Sequence, residues 1–220
     1  RLLFAAFIGG NRYDFIDYNT AIDYFAENGV FYYYYKAGVE IYPLSFYMIA
    51  LFGGIGRALG LASGSAWLMF LVKIPFVVAD VCSAVILYKL GKKYVNSEVG
   101  SVLAALYSLC PVFIAASGIY GSAITLVVPF VLGSFAMIVE KKHLTAIILY
   151  SVAMLTAKEA LYLYPIYLIY YGYLFVRAIV ASAKYRKVAD KTPDVKPADT
   201  DLIYKLPLYL FGAFLFKYVI

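Results

Sequence analysis

The chain has 220 residues, 64% of them hydrophobic, with a mean hydropathy of +0.81 and a formal net charge of +6. This composition excludes a water-soluble domain, and long apolar runs at helix-hairpin intervals mark an all-α polytopic membrane protein. A single histidine, His143, removes haem ligation and copper or zinc chemistry in this segment, and the two cysteines, Cys82 and Cys110, both inside apolar runs, suggest neither a disulfide framework nor a thiol metal site.

Residues 1–9 read as the last turns of a first span. The sequence opens on Arg1 without an initiator methionine and stops within an apolar run, so both ends are expected to be cut. Residues 11–43 then form the long polar interruption of the first half. They carry five of the 13 acidic residues (Asp14, Asp17, Asp23, Glu27, Glu40) against two bases, Arg12 and Lys36. Within them, 14–28 has helical periodicity, with Phe15, Tyr18, Ile22 and Phe25 on one face and Asp17, Thr20 and Glu27 on the other. Asp14 is a candidate N-cap and Asn28-Gly29 a stop. Roughly 15 residues are too few for a span, which needs about 20, so this helix is expected along the membrane surface. The tyrosine run 32–35 reads as an interfacial aromatic belt, with a sugar-stacking platform as the other reading.

Apolar runs follow at 44–61, 67–90, 99–116, 123–139, 144–157, 160–181 and from 206 to the end. Charge decides the status of 44–61. The connectors 89–98, 140–143 and 177–205 hold 12 of the 19 basic residues, which puts all three on the cytoplasmic side. A spanning 44–61 would bring the acidic loop to that side as well. The consistent arrangement is an external loop, 10–62, with two membrane-surface or re-entrant helices near 14–28 and 44–60. Five spans follow in 63–182, then a cytoplasmic loop at 183–205 and a truncated span at 206–220. With the first, that makes about seven transmembrane helices in one domain of the cell membrane; a true span at 44–61 with inverted topology is the alternative.

Ionisable groups in apolar runs mark candidate sites. Lys73 and Asp80 lie seven apart on one face of 67–90. For Lys73 the readings are a contact to a lipid phosphate or a share in a buried ion-pair network; for Asp80 the network is favoured. Lys158 lies at an external turn, where it either snorkels to the interface or binds an anionic ligand. Asp14 and Asp17, at a helix start, suit a general base; the bland roles are a cap and a solvated acid.

Taken together these residues resemble the GT-C superfamily of polyprenyl-phosphate-sugar-dependent membrane glycosyltransferases. The similarity rests on Asp14 and, fifteen residues on, Gly29; on Tyr42-Pro43-Leu44; and on Lys73-Ile74-Pro75 with Asp80 and the helix end LYKLGKKY at 87–94. It continues with Ser117 to Gly121 (Ser-Gly-x-x-Gly) and with Lys158 before Pro165. It covers 14–165 in short, degenerate motifs. The resemblance implies that Asp14 is the catalytic base of an inverting, metal-independent transfer, with Asp17 as its fallback. Lys73 and Lys158, with Arg57 as a weaker candidate, would bind the phosphate of the donor. No cofactor is implied. The partners would be the lipid-linked donor, membrane lipids and other membrane subunits, with no nucleic acid. Many members carry Gly-Gln-x-Asp where this chain has Gly121-Ser122-Ala123-Ile124, so a second carboxylate is missing. A non-catalytic scaffold subunit or a transporter component is therefore the alternative.

Overall fold

The computed structural model describes residues 1–8, 12–28, 42–189 and 205; the side chains of 12–17, 24, 28, 182 and 184–189 lie outside that description. The described elements are helical. In chain order they are α1 (Leu2–Phe7), α2 (Arg12–Asn28), α3 (Pro43–Ala58), α4 (Ala66–Tyr94), α5 (Ser97–Leu109), the short α6 (Pro111–Ile114) with a π-helical turn (Ala115–Tyr120), α7 (Ile124–Val139) and α8 (His143–Thr156). A 3₁₀ turn (Lys158–Leu163) leads into α9 (Tyr164–Ala189).

The bundle is built around α4, which packs against α1, α3, α5, α7 and the π-turn. Its 29 residues extend roughly 43 Å at 1.5 Å per residue, more than a hydrocarbon core of about 30 Å requires. The Ser65 hydroxyl caps its start by accepting from the Leu68 N–H at 3.3 Å, and Lys92 and Lys93 in the last turn complement the helix dipole. A tight turn capped by Asn96 reverses the chain into α5. Here the backbones almost touch: a Cβ on Gly91 would lie 2.6 Å from the Gly100 Cα, and one on Gly100 would lie 2.6 Å from the Tyr88 carbonyl oxygen.

The 99–116 run does not continue as one straight helix. Cys110 is extended (φ −63°, ψ 119°) because a residue before proline is pushed out of the helical region, and the axis bends by 55° at Pro111. Among the described residues, two helical segments, Ala66–Tyr94 and Lys158–Ala181, are long and apolar enough to cross a membrane; the bent pair makes a third if it is one span. Ile124–Val139 and His143–Thr156 are apolar but shorter. The run expected at 206–220 lies outside the described residues.

Helices α4 and α7 run in the same direction. Gly121, before α7, packs on Lys73 and Phe76, while Glu140, after α7, pairs with Lys93 at 2.5 Å and with Lys142 at 2.9 Å. Each helix covers about 20 residues, roughly 30 Å, between these contacts. Lys93 and then Lys142 hold the Glu140 carboxyl well below its ordinary range, at about 2, so the pair stays charged at physiological pH. The basic connectors after α4 and after α7 thus meet at one end of the bundle.

Helices α7, α8 and α9 share a second core. The Tyr150 and Tyr167 rings stack 3.8 Å apart, the Tyr167 hydroxyl donates to Ser134 Oγ at 2.8 Å, and Ser134 donates to the Ala146 carbonyl at 2.6 Å. On the other side of α4, the carboxylate of Asp80 is fully buried, paired with Arg1 and accepting from the Ser117 hydroxyl at 2.7 Å. Asp80 therefore ties α1 and the π-turn to α4, the network reading of that residue.

Candidate functional site

Helix α2 begins at Arg12, earlier than the periodicity indicated, so Asp14 is its third residue rather than its cap, and Asp17 lies in the second turn. The side chains of both lie outside the described residues. The buried face of α2 begins one turn later with Tyr18, Ala21 and Ile22, the i, i+3, i+4 pattern of a helix resting on a core. Ile22 lies over Gly53 of α3, where a Cβ would come within 2.3 Å of its Cγ1, so a glycine is required at that crossing. Asp23 pairs with Arg57 at the far end of α3, and Ser63 also accepts from the same guanidinium. Arg57, a weaker candidate for phosphate binding, thus serves to join α2, α3 and the loop after α3.

Tyr18 joins α2 to α4 and to the turn before α7. Its hydroxyl donates to the Gly121 carbonyl at 2.9 Å, and its ring stacks on Phe76 with centroids 6.2 Å apart. Gly121 closes the π-turn with φ +62°, a left-handed conformation that glycine adopts without strain. Lys73 is one turn from Phe76 on α4 and only 1% exposed. Its ammonium donates to the Ile8 carbonyl at 2.8 Å and to the Ala5 carbonyl at 3.4 Å, at the C-terminal end of α1. A cation suits the negative end of the helix dipole. Lys73, Phe76, Gly121 and Tyr18 thus form one cluster that touches both the end of α1 and α2.

Lys158 stands elsewhere. It is exposed at the start of the 3₁₀ turn. Two residues earlier the Thr156 carbonyl accepts from the Ser45 hydroxyl, which fastens the first turn of α3 to the end of α8. Thr156 also lines an apolar groove of about 550 Å³ enclosed by α3, α4, α7 and α8. Leu44, Met48 and Phe52 of α3 form one wall, Val78, Cys82 and Ile86 of α4 another, and Phe130 of α7 and Leu149 of α8 close it. Pro75 and Pro129, each inside its helix, also line it. Its volume falls in the range of small-molecule sites, and its lining selects for hydrocarbon.

The structure therefore brings Lys73 to the C-terminal end of α1, puts Lys158 two residues along the chain from the groove residue Thr156, and engages Arg57 in an ion pair. Sequence reasoning missed the groove, Phe76, and the bond from Tyr18 to Gly121. The one available signal was Gly121 in its Ser-Gly-x-x-Gly motif. Among the described residues no group of three His, Cys, Asp or Glu side chains converges. Comparison with protein-family models, with curated proteins and with solved structures gives no significant match.

Proposed function

We propose that this chain is the transmembrane module of an inverting membrane glycosyltransferase similar to the GT-C enzymes, which moves a sugar from a polyprenyl-phosphate donor to an acceptor hydroxyl. The observation that carries this reading is the apolar groove, which Thr156 helps to line, two residues along the chain from the exposed Lys158. A hydrocarbon tail in the groove would put its phosphate within reach of the turn that carries Lys158. Asp14, or Asp17 one turn on, takes the proton of the acceptor hydroxyl as its oxygen bonds to the anomeric carbon. The bond from that carbon to the phosphate oxygen breaks, and its electrons leave on the polyprenyl phosphate, whose charge Lys158 meets. No metal is needed for these steps.

About seven spans, with 10–62 as an external loop, are part of the same proposal. Support comes from the Lys93–Glu140–Lys142 cluster, which gathers two basic connectors at one end of the bundle, opposite the end where α2 docks. Helix α3 runs back along the first half of α4, with Gly56 on Leu68 and Ile49 against Val72 and Phe76. At 16 residues, roughly 24 Å, it fits a helix that dips into the outer leaflet. In full-length protein with Cys82 and Cys110 replaced, an impermeant thiol reagent outside the cell should label a cysteine at position 28 and spare one at 95. Labelling at 95 overturns the arrangement.

Lys158→Ala tests the donor site. Losing a charge-assisted contact to a phosphate should weaken binding of undecaprenyl phosphate in nanodiscs about ten- to a hundredfold. Unchanged affinity would remove Lys158 from the site. A transporter, with Lys73, Asp80 and Glu159 lining its pathway, is the less favoured reading, because Lys73 and Asp80 are both buried against hydrogen-bonding partners.

A further inference from the structure

The geometry points to Lys73 as a positioning residue that, together with Tyr18, sets the place of α2 on the bundle, rather than as a ligand of the donor phosphate. This deepens the glycosyltransferase reading and rests on it only for the catalytic consequence. Between Ile8, held by Lys73, and Tyr18, held by Gly121, lies the stretch that contains the start of α2 and Asp14. Both anchors converge on a single turn of α4, since Lys73 grips α1 and Phe76 stacks on Tyr18. Gly121 locks the pair from the other side: a Cβ there would lie 3.2 Å from Lys73 Cγ and 3.6 Å from Phe76. A general base on the first turn of α2 must stay within a fraction of an ångström of its working place, and the two anchors fasten the chain before and after it.

An ammonium that is 1% exposed and turned towards two carbonyls of α1 is poorly placed to meet a phosphate entering from outside. Its donors already serve two backbone carbonyls. The exposed Lys158 has no such burial.

Two readouts on the full-length protein in nanodiscs separate the roles. In Lys73→Met, amide exchange should rise about ten- to a hundredfold in peptides covering 12–28, the equivalent of one lost charge-assisted hydrogen bond. Binding of undecaprenyl phosphate should stay within about twofold, while kcat falls. Lys73→Arg, which keeps the cation and its donors, should restore most of the protection. Tyr18→Phe removes a single hydroxyl and should loosen the same peptides, which keeps the test open if Lys73→Met does not fold. Unchanged exchange at 12–28 in both Lys73→Met and Tyr18→Phe overturns the inference. So does a tenfold or larger loss of phosphate affinity in Lys73→Met with exchange unchanged, which would make Lys73 a phosphate ligand. If the wild type does not bind undecaprenyl phosphate at all, the glycosyltransferase reading fails, and the exchange data still decide the role of Lys73.

Discussion

Asp14→Asn should lower sugar transfer about 10²–10⁴-fold while leaving the affinity for polyprenyl phosphate unchanged, the signature of a removed general base. The amide keeps the size and hydrogen-bonding reach of the carboxylate but does not accept the acceptor's proton. Asp14 is the third residue of α2, so an uncharged side chain there also loses a favourable interaction with the helix dipole, about 0.3–1 kcal/mol. That small term does not account for a loss of several orders of magnitude. The measurement is single-turnover transfer with purified full-length protein and a lipid-linked sugar, with Asp17→Asn in parallel. If Asp17→Asn is the dead variant, the base lies one turn along the helix. If both variants turn over normally, the carboxylates are a first-turn acid and a solvated one, and the scaffold reading, to which the missing carboxylate at 122–124 already points, replaces the enzyme.

The second large effect concerns stability and is independent of any activity. Gly91→Ala and Gly100→Ala should each destabilise the protein by about 1–3 kcal/mol, because a methyl at either position meets backbone atoms within 2.6 Å and the helices α4 and α5 must separate to admit it. The two changes act on the same contact and should not add. Gly54→Ala is the control. A Cβ there meets nothing within 4 Å, so the usual gain in helix propensity, about 0.8–1 kcal/mol, should appear undiminished. Thermal unfolding in detergent resolves the two directions. Equal behaviour of Gly54 and Gly91 would mean that α4 and α5 do not pack backbone to backbone.

Much of the architecture was legible because it depends on local chemistry. The apolar run at 123–139 and the helix Ile124–Val139 nearly coincide, and so do 144–157 and His143–Thr156. Helix α3 begins at Pro43, where proline suits the first helical position. The break at Pro111 was also present in the chain, as a proline inside 99–116, but hydropathy averages over such a residue. The site was less legible. Tyr18 falls on the buried face of α2 by spacing alone, yet its acceptor, Gly121, is 103 residues away and no periodicity connects them. Lys73 stood out as a buried charge; whether it serves a ligand or a backbone depends on which atoms surround it.

The sequence by itself determined what can be read from composition and spacing along one segment: a helical membrane chain, the bounds of most helices, the amphipathic face of α2 and the clustering of basic residues in the connectors. Burial of apolar side chains and the helical period of 3.6 are properties of a segment, so they leave a record in it. The tertiary structure alone decided which distant atoms meet. It turned Lys73 towards the carbonyls of α1, gave Asp80 to Arg1 and Ser117, took up Arg57 with Asp23, and enclosed the groove between four helices. The energy of a buried charge or a cavity depends on neighbours drawn from several helices at once, and those neighbours exist only after the helices have packed.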